Sequence, residues 1–224
     1  MTQPLQNRVD PFGAIHTVAA RGMFTGNRGV IHDPDTRTLL SRRWTTKAWI
    51  ACACNFRGRK REVMGRNARS GAAGWTELFF LDEPTALAAG HRPCFFCRRQ
   101  RAADFLRRFG DIFGIAAPKV AEMDTRLHAE RLASGGKPRS VPHAEIGALP
   151  DGAMIALNDA AYAVRAGMAH GWSFQGYGAA RAIAELPDGD WRLLTPPATL
   201  AVLAAGYRPE WHPSAGRAAV STGR

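Results

Sequence analysis

The stretch Trp75–Phe109, WTELFFLDEPTALAAGHRPCFFCRRQRAADFLRRF, decides how the rest of the chain is read. Its apolar run Leu78-Phe79-Phe80-Leu81 has the length of a buried strand. Asp82, Glu83 and Pro84 follow with helix-start chemistry: carboxylates at the positive end of the helix dipole, and a proline whose missing N–H the first turn does not need. Gly90 stops that helix and Pro93 prevents its resumption. Cys94-Phe95-Phe96-Cys97 is a C-x-x-C. From Arg98 to Phe109 the helical period returns, with Ala102, Phe105, Leu106 and Phe109 on one side and arginines on the other. Strand, helix, knuckle, helix is a zinc-stapled pattern, because two thiolates at this spacing can hold one ion at the root of a helix. Cys94 and Cys97 are therefore expected to bind one zinc.

The segment FFLDEPTALAAGHRPCFFCR resembles the second half of the Ada metal-binding domain, the zinc module of bacterial methylphosphotriester DNA repair proteins. The shared features are an aromatic strand, an acidic turn, an alanine-rich helix, a Gly-x-Arg-Pro-Cys stop and a second cysteine two residues on. The resemblance is close over about 20 residues and loose over residues 48–101. It implies a zinc-binding, DNA-binding protein acting in DNA repair or its regulation. The family's first cysteine pair is a C-x3-C, one member of which accepts the methyl group. Here Cys52-Ala53-Cys54 is a C-x-C, with 39 residues between Cys54 and Cys94. With that register changed, no methyl transfer to Cys52 or Cys54 is expected.

The chain has 224 residues, 46% of them hydrophobic, enough for a sizeable core in one large domain or two small ones. Four cysteines, two in C-x-x-C, point to metal or redox chemistry in a reducing compartment rather than a disulfide scaffold. The start, MTQPLQNRVDPF, has no apolar core of a signal peptide, and no run of 18 apolar residues occurs. A cytoplasmic protein away from membranes is expected.

The net charge of +11 is localised. Residues 42–108 hold 15 of the 30 Lys/Arg and only 5 of the 19 Asp/Glu, a net +10 for that third of the chain. One basic segment wrapped around a metal knuckle points to a polyanion, DNA first and RNA as an open alternative. The bland reading is a solvated arginine face without a partner.

Within this segment the alternation around Ala48-Trp49-Ile50-Ala51 and after Asn55 predicts two strands meeting at a basic turn near Arg57–Lys60. Arg57, Arg59, Lys60 and Arg61 at this tip, with Arg98 and Arg99 beside the knuckle, are the candidate nucleic-acid contacts. Strand geometry sends alternate residues to one face, so Cys52 and Cys54 are candidates to complete a four-cysteine site. The competing reading makes one or both of them small core residues. Further upstream, Ala14–Val18 reads as a strand, and Gly26, Asn27 and Gly29 as a tight turn in which Asn27 and Arg28 face phosphate or solvent.

Past the knuckle, Val120–Ala133 reads as a helix with Asp124, His128 and Arg131 at i, i+4 and i+7 and Glu130 nearby. Asp124, His128 and Glu130 are candidates for a metal-dependent catalytic site, set against an exposed helix face with i,i+4 pairs. Strands are expected at 153–157, 162–165, 172–174 and 191–194, with Asp188-Gly189 as a hairpin turn. The chain also repeats itself at an offset of 116: Trp75 with Trp191, Leu87-Ala88-Ala89-Gly90 with Leu203-Ala204-Ala205-Gly206, Arg92-Pro93 with Arg208-Pro209.

The expected protein is α+β, with an Ada-like zinc-knuckle region at 1–110 and a β-rich region at 111–224 carrying a degenerate copy of 75–94 at 191–210. Three functions follow: a zinc protein that binds DNA through the knuckle's basic face, a metal-dependent nuclease or hydrolase using the Asp124/His128/Glu130 helix, or a structural zinc protein that binds another protein.

Overall fold

The computed structural model describes residues 3–58 and 61–216, and they form a mixed α+β fold built on two six-stranded sheets. The first half supplies β1 (Gln6–Val9), β2 (Ile15–Thr17), β3 (Phe24–Asn27), β4 (Ile50–Ala53), β5 (Leu78–Phe80), α1 (Glu83–Ala88), β6 (Arg92–Pro93) and α2 (Arg99–Phe113). Its strands run in the order β2-β1-β5-β3-β4-β6, with the β1–β5 and β4–β6 pairs parallel. The second half supplies α3 (Val120–Glu130), β7 (Arg139–Ser140), β8 (Met154–Leu157), β9 (Ala160–Arg165), β10 (Met168–Ser173), β11 (Gly176–Ala182), β12 (Trp191–Leu193) and α4 (Pro197–Ala204). This sheet is antiparallel, in the order β11-β10-β9-β8-β12-β7.

Helix α1 is the hinge of the architecture, and its local chemistry matches its sequence. Asp82 is the N-cap and accepts from the Thr85 backbone N–H at 3.0 Å and from the Thr85 hydroxyl at 2.7 Å. Gly90 ends the helix with φ +82°, where a β-carbon would lie 2.7 Å from the Cβ of Arg131, so both conformation and space exclude a side chain. Every residue of α1 is buried. Ala88, with Leu81 just ahead of the helix, enters a core with Met154, Ala161 and Tyr177, and Leu87 faces a second core shared with Phe105, Phe109, Leu127, Val202 and Tyr207.

The acidic turn at the start of α1 joins the two halves as well. Asp82 also accepts from the Tyr177 hydroxyl at 3.1 Å and from the His212 N–H at 3.1 Å, and Trp172 Nε1 donates to Thr85 Oγ1 at 3.0 Å. Glu83 accepts from the Tyr207 hydroxyl at 2.6 Å and the Glu210 N–H at 2.8 Å, and pairs with Arg98 at 2.9 Å and Arg101 at 3.0 Å. Burial alone would push the Glu83 carboxyl up, but the charge and hydrogen bond of Arg98 hold it below the ordinary glutamate value. The expected division at 110/111 falls inside α2, whose Phe105 and Phe109 pack against α4.

Three sequence expectations are corrected here. The hairpin expected over 42–64 is a single strand, β4, because both of its edges are taken, by β3 and by β6. The described residues beyond it form no strand before β5, and Glu77 accepts from Arg61 Nε at 2.6 Å and from the Met64 N–H at 2.8 Å. The turn expected at Gly26–Gly29 begins later: Gly26 and Asn27 belong to β3, where a β-carbon on Gly26 would meet the Ile50 carbonyl oxygen at 2.1 Å. Asp188-Gly189 does not close a hairpin, since β12 pairs with β8 and β7 instead of β11. The expected strands at 153–157, 162–165, 172–174 and 191–194 correspond to β8, β9, β10 and β12, and β11 is an addition.

The repeat has a structural counterpart in part. Helices α1 and α4 both end at an Ala-Ala-Gly whose glycine has positive φ, +82° at Gly90 and +94° at Gly206. The strands do not superpose in register, because β5 begins three residues after the position equivalent to the start of β12. Arg92-Pro93 forms β6, whereas Arg208-Pro209 forms no strand.

Candidate metal centre

The parallel pairing of β4 with β6 sets Ala51 opposite Pro93, and the Cys94 N–H donates to the Ala51 carbonyl at 3.0 Å. Cys52 and Cys94, each one residue further on, are thereby neighbours despite 41 intervening residues. The chain then turns tightly: the Phe96 N–H donates to Cys94 Sγ at 3.3 Å and the Arg98 N–H to the Cys94 carbonyl at 2.9 Å. This turn brings Cys97 back to the pair just before α2 begins. The sulfur atoms of Cys52, Cys94 and Cys97 all lie within 4.8 Å of one another, Cys52 and Cys94 buried and Cys97 half-buried. Three converging thiols on a rigid sheet edge form a soft donor set that can hold one metal ion.

The three thiols also share their protons unequally. Hydrogen bonds from Cys52 and then Cys97 hold the Cys94 thiol far below the ordinary cysteine value. Hydrogen bonds to Cys94 and Cys97, with burial, push Cys52 up. Hydrogen bonding within the trio thus favours a thiolate, the form that ligates a cation.

Cys54 stands outside this group. Strand β4 ends at Ala53, so the alternation that would carry residue 54 to the same face as Cys52 stops one residue short. Cys54 is exposed, its thiol 3.8 Å from the Gly22 carbonyl oxygen. It does line the same pocket as the other three, a cleft of about 440 Å³ whose walls include Phe56, Trp75 and Phe96.

The helix residues read as a second metal or catalytic site are otherwise engaged. Asp124 is buried in a bidentate ion pair with Arg92, and Glu130 accepts from Arg126 Nε at 3.0 Å and the Ala198 N–H at 2.7 Å. His128 lies edge-on to Trp44 and Trp49, at 5.7 and 6.5 Å between ring centroids. Among the described residues the cysteine trio is the group of His, Cys, Asp or Glu that meets the spacing of a metal site, and Asp124, His128 and Glu130 form no second one. A partner for Asp124 thirty-two residues upstream left no mark in the helix periodicity.

The basic residues divide into two sets. Arg98 is 5% exposed in its side chain and pairs with Glu83 and Glu210; Arg61 pairs with Glu77 and lies over Trp75. Each of these guanidinium groups is engaged by carboxylate instead of standing open at the surface. Arg57 and Arg99 are exposed. Arg59 and Lys60 lie outside the described residues. Arg28, expected at a surface turn, is 1% exposed, donates to the Gly13 carbonyl at 2.9 Å and lies over Trp49, with Arg131 over the same indole. Burial lowers the pKa of both these guanidinium groups.

Among the described residues no helix is long and apolar enough to cross a membrane. In comparisons with protein-family models, curated proteins and solved structures, nothing matches this chain.

Proposed function

We propose that the chain is a zinc protein, with one ion held by the thiolates of Cys52, Cys94 and Cys97, that binds nucleic acid on the basic face beside this centre. The observation that carries the metal reading is the convergence of three sulfurs within 4.8 Å, from β4, from the residue after β6 and from the turn that follows it. Zinc is favoured because thiolates at a C-x-x-C knuckle suit a soft, redox-inert ion. When bound, such an ion supplies structural cross-linking: it ties β4 to the knuckle and to the first turn of α2.

The nucleic-acid reading rests on charge. Of the 13 described basic residues in 42–108, seven have carboxylate partners, among them Arg61, Arg92 and Arg98. Arg42, Arg43, Lys47, Arg57, Arg69 and Arg99 remain exposed, and Arg57 and Arg99 line the groove next to Cys97, a cationic rim that suits a polyanion. The resemblance of residues 48–101 to the Ada metal-binding domain supports the same reading and favours DNA, with a role in repair or its regulation. The test measures zinc per chain in the purified protein and anisotropy of labelled DNA across a salt series. One zinc per chain and affinity that falls steeply with salt are expected; a metal-free protein that ignores DNA at low salt sinks the proposal.

A further inference from the structure

Phe96 is 59% exposed, more than Trp44 at 38%, the other large apolar side chain at the surface among the described residues. It is held in place nonetheless, because Cys94 and Cys97 flank it within the knuckle turn and its N–H donates to Cys94 Sγ. Its ring meets Phe56 edge-to-face at 5.3 Å. The two rings together border two clefts. On one side is the pocket of about 440 Å³ over the cysteines, with Thr25, Asn67 and Trp75 in its wall and Arg61 lying 4.1 Å over the Trp75 ring. On the other is an open groove of about 540 Å³ lined by Arg57, Arg99, Gln100 and Arg101, with Glu210 at its margin.

The chemistry alternates across this surface. Guanidinium groups flank it, aromatic rings form a ridge at its centre, and neutral hydrogen-bonding side chains, Thr25, Asn67 and Gln100, lie on either side of the ridge. An occupant that fits must be anionic where it meets Arg57 and Arg99, and must carry flat apolar faces with polar edges where it crosses the rings. Duplex DNA presents phosphates but keeps its base faces stacked inside. An unpaired strand presents both. Resting on the nucleic-acid reading above, we propose that the Phe56/Phe96 ridge stacks unpaired bases, so that the protein's preferred partner is single-stranded nucleic acid running from the Arg57/Arg99 groove across the ridge to the cysteine pocket.

The experiment uses the full chain loaded with zinc and fluorescein-labelled oligonucleotides of one length: single-stranded DNA, single-stranded RNA and duplex DNA. Single strands should bind at least about 10-fold more tightly than duplex. Phe96→Ala should weaken single-strand binding by roughly 5- to 100-fold, the range for one stacked base, while leaving duplex binding unchanged. Phe96→Trp should restore it. Zinc content measured on each variant shows that the knuckle is intact. The two single-stranded arms decide between DNA and RNA. Duplex binding as tight as single-strand binding, or a Phe96→Ala variant that holds single strands as well as the parent, overturns the stacking proposal while leaving salt-dependent duplex binding in place. Binding of an acidic peptide with no oligonucleotide bound in any arm would put a protein in the groove and overturn both readings.

Discussion

Arg92 and Asp124 form a bidentate ion pair, Nε to Oδ1 at 2.8 Å and Nη2 to Oδ2 at 2.9 Å, with each side chain 7% exposed. The pair fastens the strand that leads into the knuckle to the middle of α3. In a helix row of Asp, His and Arg, it occupies both oxygens of the carboxylate with one guanidinium fork.

Breaking that pair from one side strands a buried charge. Asp124→Ala should lower stability by about 3–5 kcal/mol. The double variant Arg92→Met/Asp124→Leu should recover a large part of it, since neither charge is then left alone. Urea denaturation of the three proteins checks this; a single variant within about 0.5 kcal/mol of the parent would show that the pair is not buried in solution.

The metal centre predicts an unequal response of the four cysteines. Cys52→Ser, Cys94→Ser and Cys97→Ser should each lose zinc and lower the melting temperature, whereas Cys54→Ser should keep one zinc per chain. Cys97 lies two residues before α2, so its loss should raise proteolysis near Arg98. Metal analysis and thermal melting, with and without chelator, decide the matter. Loss of zinc in Cys54→Ser would mean that this residue completes the site when metal is present.

His91 packs between Trp49 and Phe80, at 5.2 and 4.5 Å between ring centroids, and accepts from Arg28 Nε at 3.3 Å. Burial, with Arg28 and Arg131 nearby, holds its pKa well below the ordinary value of 6.5. The unfolded chain therefore binds a proton below about pH 6.5 that the folded chain refuses. This contribution to stability is fully present above pH 6.5 and is lost as pH falls towards the folded value. His128 and His170, also lowered by burial, act in the same direction. His91→Gln should flatten the fall in melting temperature between about pH 7.5 and 5, and an unchanged slope would refute the assignment.

Salt dependence separates exposed from paired arginines. Replacing Arg57 and Arg99 by Gln should reduce the slope of log affinity against log salt by about 1.5 units, somewhat under one unit for each phosphate no longer neutralised. Arg98→Gln should instead destabilise the fold, because it leaves Glu83 short of a partner at the junction of the two halves. A slope unchanged by the first pair would place the polyanion elsewhere on the surface.

The sequence by itself determined what depends on near neighbours in the chain. Asp82 and Pro84 start α1, Gly90 stops it, the apolar row Ala102, Phe105 and Phe109 gives α2 its buried face, and Cys94 and Cys97 share one turn. These follow from backbone bonding a few residues apart, so residue type and spacing carry them. Tertiary structure decided what depends on which strand lies beside which. Parallel pairing of β4 with β6 brought Cys52 to the knuckle, and the end of β4 at Ala53 left Cys54 outside. Burial fixed the fate of the charges: Arg98 faces Glu83, Arg92 faces Asp124, and Arg28 lies against Trp49. An arginine's local sequence is the same whether it meets solvent or a carboxylate on a distant segment, so composition revealed the basic surplus but only packing revealed which of it reaches the surface.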